Sequence, residues 1–259
     1  MPAFLGKPGP TPYHRLNPLT KLVAATSVAL AAIILGDVAG PIALLAAGVV
    51  LPAVVARSLR ALARAALLLT LPLALSILLV NLFFFPGGER VLLRIGPVAA
   101  TLEGLAFGIE ILLRLLAISG AITLFYLTTP VSELVIDLER RGVPARLAHV
   151  ASASVQTVPA MVERAAAITA AQRARGLDTE GSPWRRLRGL LPLAGPVILG
   201  SIAEVEERAM ALEARGFTRP GPRTLLWHPA DSGWQRAARW SLLAGVVGLA
   251  AGRLGGWPG

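Results

Sequence analysis

Cysteine is absent from the 259 residues, which excludes disulfide frameworks, thiolate nucleophiles and cysteine-ligated metal sites. Charge is scarce as well: Asp, Glu, Lys and Arg make up 15% of the chain, against about 25% in a soluble domain. Histidine occurs only at His14, His149 and His228. These are isolated from one another in sequence and form no ligand-spaced pair, and no carboxylate lies four positions from any of them, so the helical ligand spacing of a metalloenzyme is missing. No Gly-x-x-x-x-Gly-Lys-[Ser/Thr] loop occurs, so the chain is not expected to hydrolyse nucleotide itself. Nor is there a basic patch interleaved with aromatics of the kind that stacks bases, which argues against a nucleic-acid partner. The apolar stretch after Lys21 runs into further apolar segments and lacks the cleavage site and polar mature domain of a secretory signal.

Apolar residues fill the space that charge leaves. They make up 54% of the chain and the mean hydropathy is +0.65, the composition of a membrane protein. The net charge is +10, from 25 Lys and Arg against 15 Asp and Glu. In such a chain basicity marks cytoplasmic loops. Asn17 and Pro18 have the chemistry of an N-cap and first helical position. The basic residues around them put this end in the cytoplasm.

Five spans are expected, at about Leu19–Leu35, Ile42–Ala56, Ala65–Phe85, Gly104–Thr128 and Trp234–Leu254. Arg57, Arg60 and Arg64 are expected on one helical face at the lipid boundary, snorkelling. The balanced stretch around Val91 to Pro97 suits the outside, lying along the interface. Glu110 and Arg114, four positions apart, are expected to neutralise each other against a neighbouring helix. Trp227, Trp234, Trp240 and Trp257 suit interfacial anchoring.

From residue 131 to about 233 the character changes, with Arg, Glu and Asp at helical intervals among apolar residues. Val131–Arg141 reads as a short amphipathic helix, with Leu134, Val135 and Leu138 on one side and Glu133, Asp137, Glu139 and Arg140 around the other. Gly142-Val143-Pro144 stops it. Two long helices follow, Ala145–Arg175 and Trp184–Arg215. Each closes on the same sequence: Ala174-Arg175-Gly176 and Ala214-Arg215-Gly216. Glycine is the residue that enters the left-handed conformation after a last helical turn, and arginine before it favours the negative end of the helix dipole. One such end is ordinary capping; two, forty positions apart, suggest plugs for a partner with two equivalent sockets. Ala151, Ala165, Ala166, Ala167, Ala170 and Ala171 are expected to let these helices slide on one another.

Taken together, His14-Arg15-Leu16-Asn17-Pro18-Leu19-Thr20-Lys21, Leu127-Thr128-Thr129-Pro130 with Glu133-Leu134, and the two arginine motifs resemble the transmembrane T component of energy-coupling factor transporters, the EcfT/CbiQ family. The resemblance implies an all-α, polytopic membrane protein of about five transmembrane helices with a cytoplasmic region of two or three long amphipathic coupling helices. Residues 1–18 form the cytoplasmic N-terminal segment, 19–130 the first four spans, 131–233 the coupling-helix region, and 234–259 the final span and C-terminus. It further implies a cell-membrane scaffold without catalysis or cofactor of its own. Arg175 and Arg215, framed by Ala174, Gly176, Ala214 and Gly216, would dock on two ABC-type ATPases, homo- or heterodimeric, that bind the ATP. A membrane-embedded S component would bind a vitamin or transition-metal ion. The competing readings are a conventional ABC-importer permease, which would couple through one short loop helix, and a membrane-bound enzyme using Glu204, Glu206, Glu207 and His228.

Overall fold

The computed structural model describes residues 11–86, 88–95, 98–176, 183–217, 219 and 229–255, without the side chains of 95, 98 and 183–193. Trp227, His228 and Trp257 lie outside these residues, as do the side chains at the start of the second long helix. Eight helices are described: α1 (Pro18–Ile34), α2 (Ala39–Val55), α3 (Leu59–Phe84), α4 (Leu102–Thr128), α5 (Val131–Arg140), α6 (Ala145–Ala174), α7 (Pro183–Ala214) and α8 (Gly233–Leu254). By contacts the chain divides into two units, Met1–Val143 with His228–Gly259, and Pro144–Trp227.

In the first unit α4 packs against α1, α2 and α3, and α8 packs on α1. The core is small: Val28, Val49, Ala53, Leu62, Ala121 and Leu124, with Tyr13, Leu44 and Leu127 against it. Most large apolar side chains point away from it, as in the run Leu67, Leu68 and Leu69 of α3, where Leu69 is 75% exposed. That inversion is what a helix bathed in hydrocarbon requires, since lipid replaces the protein core as the apolar phase. Thus α3 and α4 are long and apolar enough to cross a bilayer, while α1 and α2 are shorter apolar helices.

Two stretches have π-helical pairing, Leu44–Val50 in α2 and Ala66–Thr70 in α3. Each lies just ahead of a proline, Pro52 or Pro72. A proline in a helix removes a donor and crowds the carbonyl four residues back; the widened turn relieves that crowding where no water can. Arg57 differs from its expected place. It sits in the turn before α3 with φ 53°, so only Arg60 and Arg64 ride on the helix.

Between α3 and α4 the stretch expected along the interface forms an antiparallel hairpin, β1 (Val91–Ile95) and β2 (Val98–Thr101). The β-branched Val91, Ile95 and Val98 around a glycine and proline are a hairpin signal that hydropathy alone hides. Thr101 then caps α4, its hydroxyl accepting from Gly104 N–H at 3.2 Å. At Gly104 a Cβ would meet the Asn81 carbonyl of α3 at 2.3 Å. Gly104→Val should therefore push α3 and α4 apart at a cost of about 1–3 kcal/mol, measurable as a lower melting temperature in detergent.

The Glu110–Arg114 pair forms as expected, at 2.6 Å. Arg114 also donates to the Leu35 carbonyl at 2.8 Å, placing its cation on the negative end of α1.

Candidate functional site

The second unit contains α6 and α7, and two contacts fix their sense. Arg164 of α6 is ion-paired with Glu204 of α7, and the ring of His149 near the start of α6 lies 5.0 Å from that of Phe217 just past the end of α7. The helices are therefore antiparallel. Arg175 lies eleven positions beyond Arg164, and Arg215 eleven beyond Glu204. At 1.5 Å per residue each tip stands about 16 Å from the shared ion pair, in opposite directions.

Both tips are built as their local sequence dictates. Arg175 is the C-cap of α6 and Gly176 follows it at φ +91°; the Gly176 N–H donates to the Arg173 carbonyl at 2.9 Å. Gly216 has φ +69°. Its N–H donates to the Glu213 carbonyl at 2.8 Å, and Phe217 N–H to the Leu212 carbonyl at 2.9 Å, the two bonds of a Schellman turn. Ala174, Arg175, Gly176, Ala214, Arg215 and Gly216 are all exposed, and a Cβ at either glycine would meet nothing within 4 Å. Left-handed backbone alone demands glycine there.

The alanines of the pair depart from expectation. Ala151, Ala165, Ala166, Ala167, Ala170 and Ala171 are exposed, so they do not form the crossing. A two-helix layer buries only one narrow stripe, and here that stripe holds Arg164. Glu204 also pairs with Arg208, so it is committed to ion pairs rather than to acid–base chemistry. Val158, Met161 and Val162 of α6 and Ile198, Leu199, Ile202 and Val205 of α7 are exposed. Met161, Ile198, Ile202 and Val205 line an apolar groove of about 460 Å³ with Val197, Ser201 and Glu206.

A third helix also ends in Arg-Gly. α5 closes on Arg141-Gly142, with Gly142 at φ +105° and the same pair of Schellman bonds, Gly142 N–H to Glu139 and Val143 N–H to Leu138, both at 3.1 Å. Its arginine turns inward. Arg141 donates from Nε to Asp137 at 2.9 Å and from a terminal nitrogen to Asp231 at 2.8 Å.

These bonds belong to a polar node in the first unit. Asn17 caps α1 through Leu19 N–H at 3.0 Å, as expected, but it also donates from Nδ2 to Asp137 at 3.0 Å and takes Gln235 Oε1 on its backbone N–H at 2.8 Å. Arg239 donates to both oxygens of Asp231, at 2.9 and 3.0 Å, and to Thr20 at 2.8 Å. Lys21 is 1% exposed; its Nζ donates to the carbonyls of His14 at 3.0 Å and Thr128 at 2.9 Å, which closes the C-terminal end of α4. Asp137, expected on the polar face of α5, is fully buried. Its two donors replace the water it gives up.

A family model described as CbiQ, cobalt transport protein, matches residues 9–225. The chain belongs to the CbiQ family. It is similar to the energy-coupling factor transporter transmembrane protein EcfT of Thermosediminibacter oceani, 31% identical over 229 residues that cover 84% of each chain. The protein of the same name from Heliobacterium modesticaldum is 33% identical over 225 residues, 83% of each. That of Acidaminococcus fermentans is 30% identical over 248 residues, 87% of this chain and 88% of the relative. CbiQ membership makes the chain a membrane component of a transporter, in line with its helical, polytopic fold.

Sequence reasoning in this CbiQ chain found the two tips and missed the node. Asp231 titrates as the node's geometry requires. The Arg239 guanidinium bonded to it holds its carboxyl below the usual range against the opposing effect of burial, and Arg141 adds to this. For Arg141, burial disfavours the charge, but the bonds and charges of Asp137 and Asp231 outweigh it and hold its pKa above the ordinary value. The folded pKa of Asp231 lies below its unfolded one, so its contribution is complete above about 3.9 and is lost as pH falls through the lower folded value. In detergent, the thermal-stability margin of wild type over Asp231→Asn should stay constant from about pH 8 to about pH 5 and shrink below about pH 4.

Proposed function

We propose that this chain is the coupling subunit of an ATP-driven ECF-type importer of a micronutrient, with Arg175 and Arg215 each docked on one of two ABC-type ATPases. The two tips are alike in sequence and cap geometry, are exposed, and point in opposite directions at equal reach from one ion pair. A partner dimer offers two like grooves to such an object. The observation that carries the reading is the contrast with Arg141: the same helix end is satisfied internally in one copy and left open in the other two.

Arginine suits the role. Its planar, permanently charged fork binds a carboxylate through two parallel hydrogen bonds, which holds orientation as well as charge. ATP is bound and hydrolysed by the partners, and the chain carries no cofactor. A membrane-embedded S component, which selects the vitamin or transition-metal ion, covers the apolar groove around Met161 and Ile202; apolar area of that extent is otherwise costly to expose. Ala145–Ala174 and Pro183–Ala214 lie on the cytoplasmic side with the N-terminus, in keeping with the basic residues there, and the apolar body crosses the cell membrane several times.

Affinity purification from a co-expressing cell tests this. Two ATPase subunits and one small membrane protein should accompany each copy of the chain. Two copies of the chain with the ATPases and no S component would instead indicate a conventional ABC permease, and recovery without any ATPase would reject the coupling role.

A further inference from the structure

The α6–α7 unit is an insertion, leaving the body after Val143 and rejoining it at His228. Arg141 lies two positions before the departure and Asp231 three after the return. Their 2.8 Å ion pair therefore ties together the two chain segments from which the insertion is hung. Both residues are anchored on the body side: Arg141 to Asp137, which is held by Asn17 at the head of α1, and Asp231 to Arg239 of α8, which in turn holds Thr20 of α1. We propose that Arg141 and Asp231 are positioning residues for energy coupling: their clasp makes the two roots of the insertion move as one and delivers that motion to α1, α5 and α8. The proposal rests on the docking reading above.

Unbridged, two single-chain connections are two separate hinges, each able to absorb a displacement through its own backbone angles. Bridged and tied to the head of α1, they act as one joint with less freedom to do so. The clasp is suited to transmission more than to stability. Arg141 is still 32% exposed on its side chain, and exposed pairs contribute little to folding. If Arg141 is lost, Asp137 keeps Asn17 and Asp231 keeps both bonds from Arg239. Neither carboxylate is stranded, so the body can fold while the direct tie between the roots is gone.

The absence of cysteine makes the test clean. Spin labels at Ala170→Cys and Ala211→Cys report on the insertion near its tips, and labels at Arg57→Cys and Ala237→Cys report on the body; all four positions are exposed. Each labelled pair is assembled with the ATPases, and distances are measured by electron–electron double resonance with and without Mg-ATP. In wild type both pairs should change on adding ATP. In Arg141→Gln the complex should still form and the insertion pair still respond, while the body pair falls silent; Arg141→Lys should restore part of its response. An unchanged body response in Arg141→Gln overturns the proposal, as does loss of the assembled complex, which would make Arg141 merely structural. If wild type recovers no ATPase, the docking reading itself fails first and takes this one with it, and the two failures are told apart at that step.

Discussion

Arg175→Ala combined with Arg215→Ala should leave the protein in the membrane and strip the ATPases from it. Both side chains lie beyond the last turn of their helices and are exposed, so their loss removes nothing that the fold uses. On the proposed docking each would move from water to a groove wall, where a hydrogen-bonded charge contact is worth about 2–5 kcal/mol, part of it the penalty of leaving the partner's carboxylate unpaired. Each single substitution should then weaken association by at least about 30-fold, and the double by far more, because two linked contacts reinforce each other. Lysine should not rescue either position fully, since a point charge cannot reproduce the two-pronged contact. Recovery of the ATPases by the double variant at wild-type yield would reject the assignment.

Asp137→Ala should be the most damaging single change in the body. The residue is fully buried, and its carboxylate accepts from Asn17 and Arg141. Removing it leaves the buried Asn17 Nδ2 without its acceptor and takes from Arg141 one of its two carboxylates, Asp231 being the other, at a cost of about 2–3 kcal/mol. In detergent the apparent melting temperature should fall by on the order of 10 °C. Asp137→Asn, which keeps an acceptor for Asn17, should be milder. Because Arg141 shares this carboxylate, Asp137→Ala with Arg141→Gln should cost less than the two changes summed. An additive double variant would show that the two residues do not act together.

The helix ends were legible in the sequence because their chemistry is local. Asn17-Pro18 starts α1 where expected, and Gly142, Gly176 and Gly216 stop three helices, each with its φ in the left-handed region. Lys21, Asp137 and Arg239 were not legible. Lys21 finds the Thr128 carbonyl 107 positions away, Asn17 finds Asp137 at 120, and Arg239 finds Thr20 at 219. Periodicity assigns a charged residue to an outer face unless its partner is known, and a single sequence holds no record of partners so distant. The same limit explains the alanines of α6, whose small size permits a close crossing without deciding which side of the helix makes it. The hairpin was hidden differently: a hydropathy reading averages over Val91 to Thr101 and discards the alternation and turn residues that distinguish a strand pair.

The equal reach of the two tips from the Arg164–Glu204 ion pair has a mechanical consequence. Displacements of the same size and opposite sense at Arg175 and Arg215, directed across the helix axes, amount to a torque that turns the pair about the bridge. Displacements in the same sense translate the bridge without turning it. A hairpin with equal arms thus separates two kinds of input, and one with unequal arms would mix them.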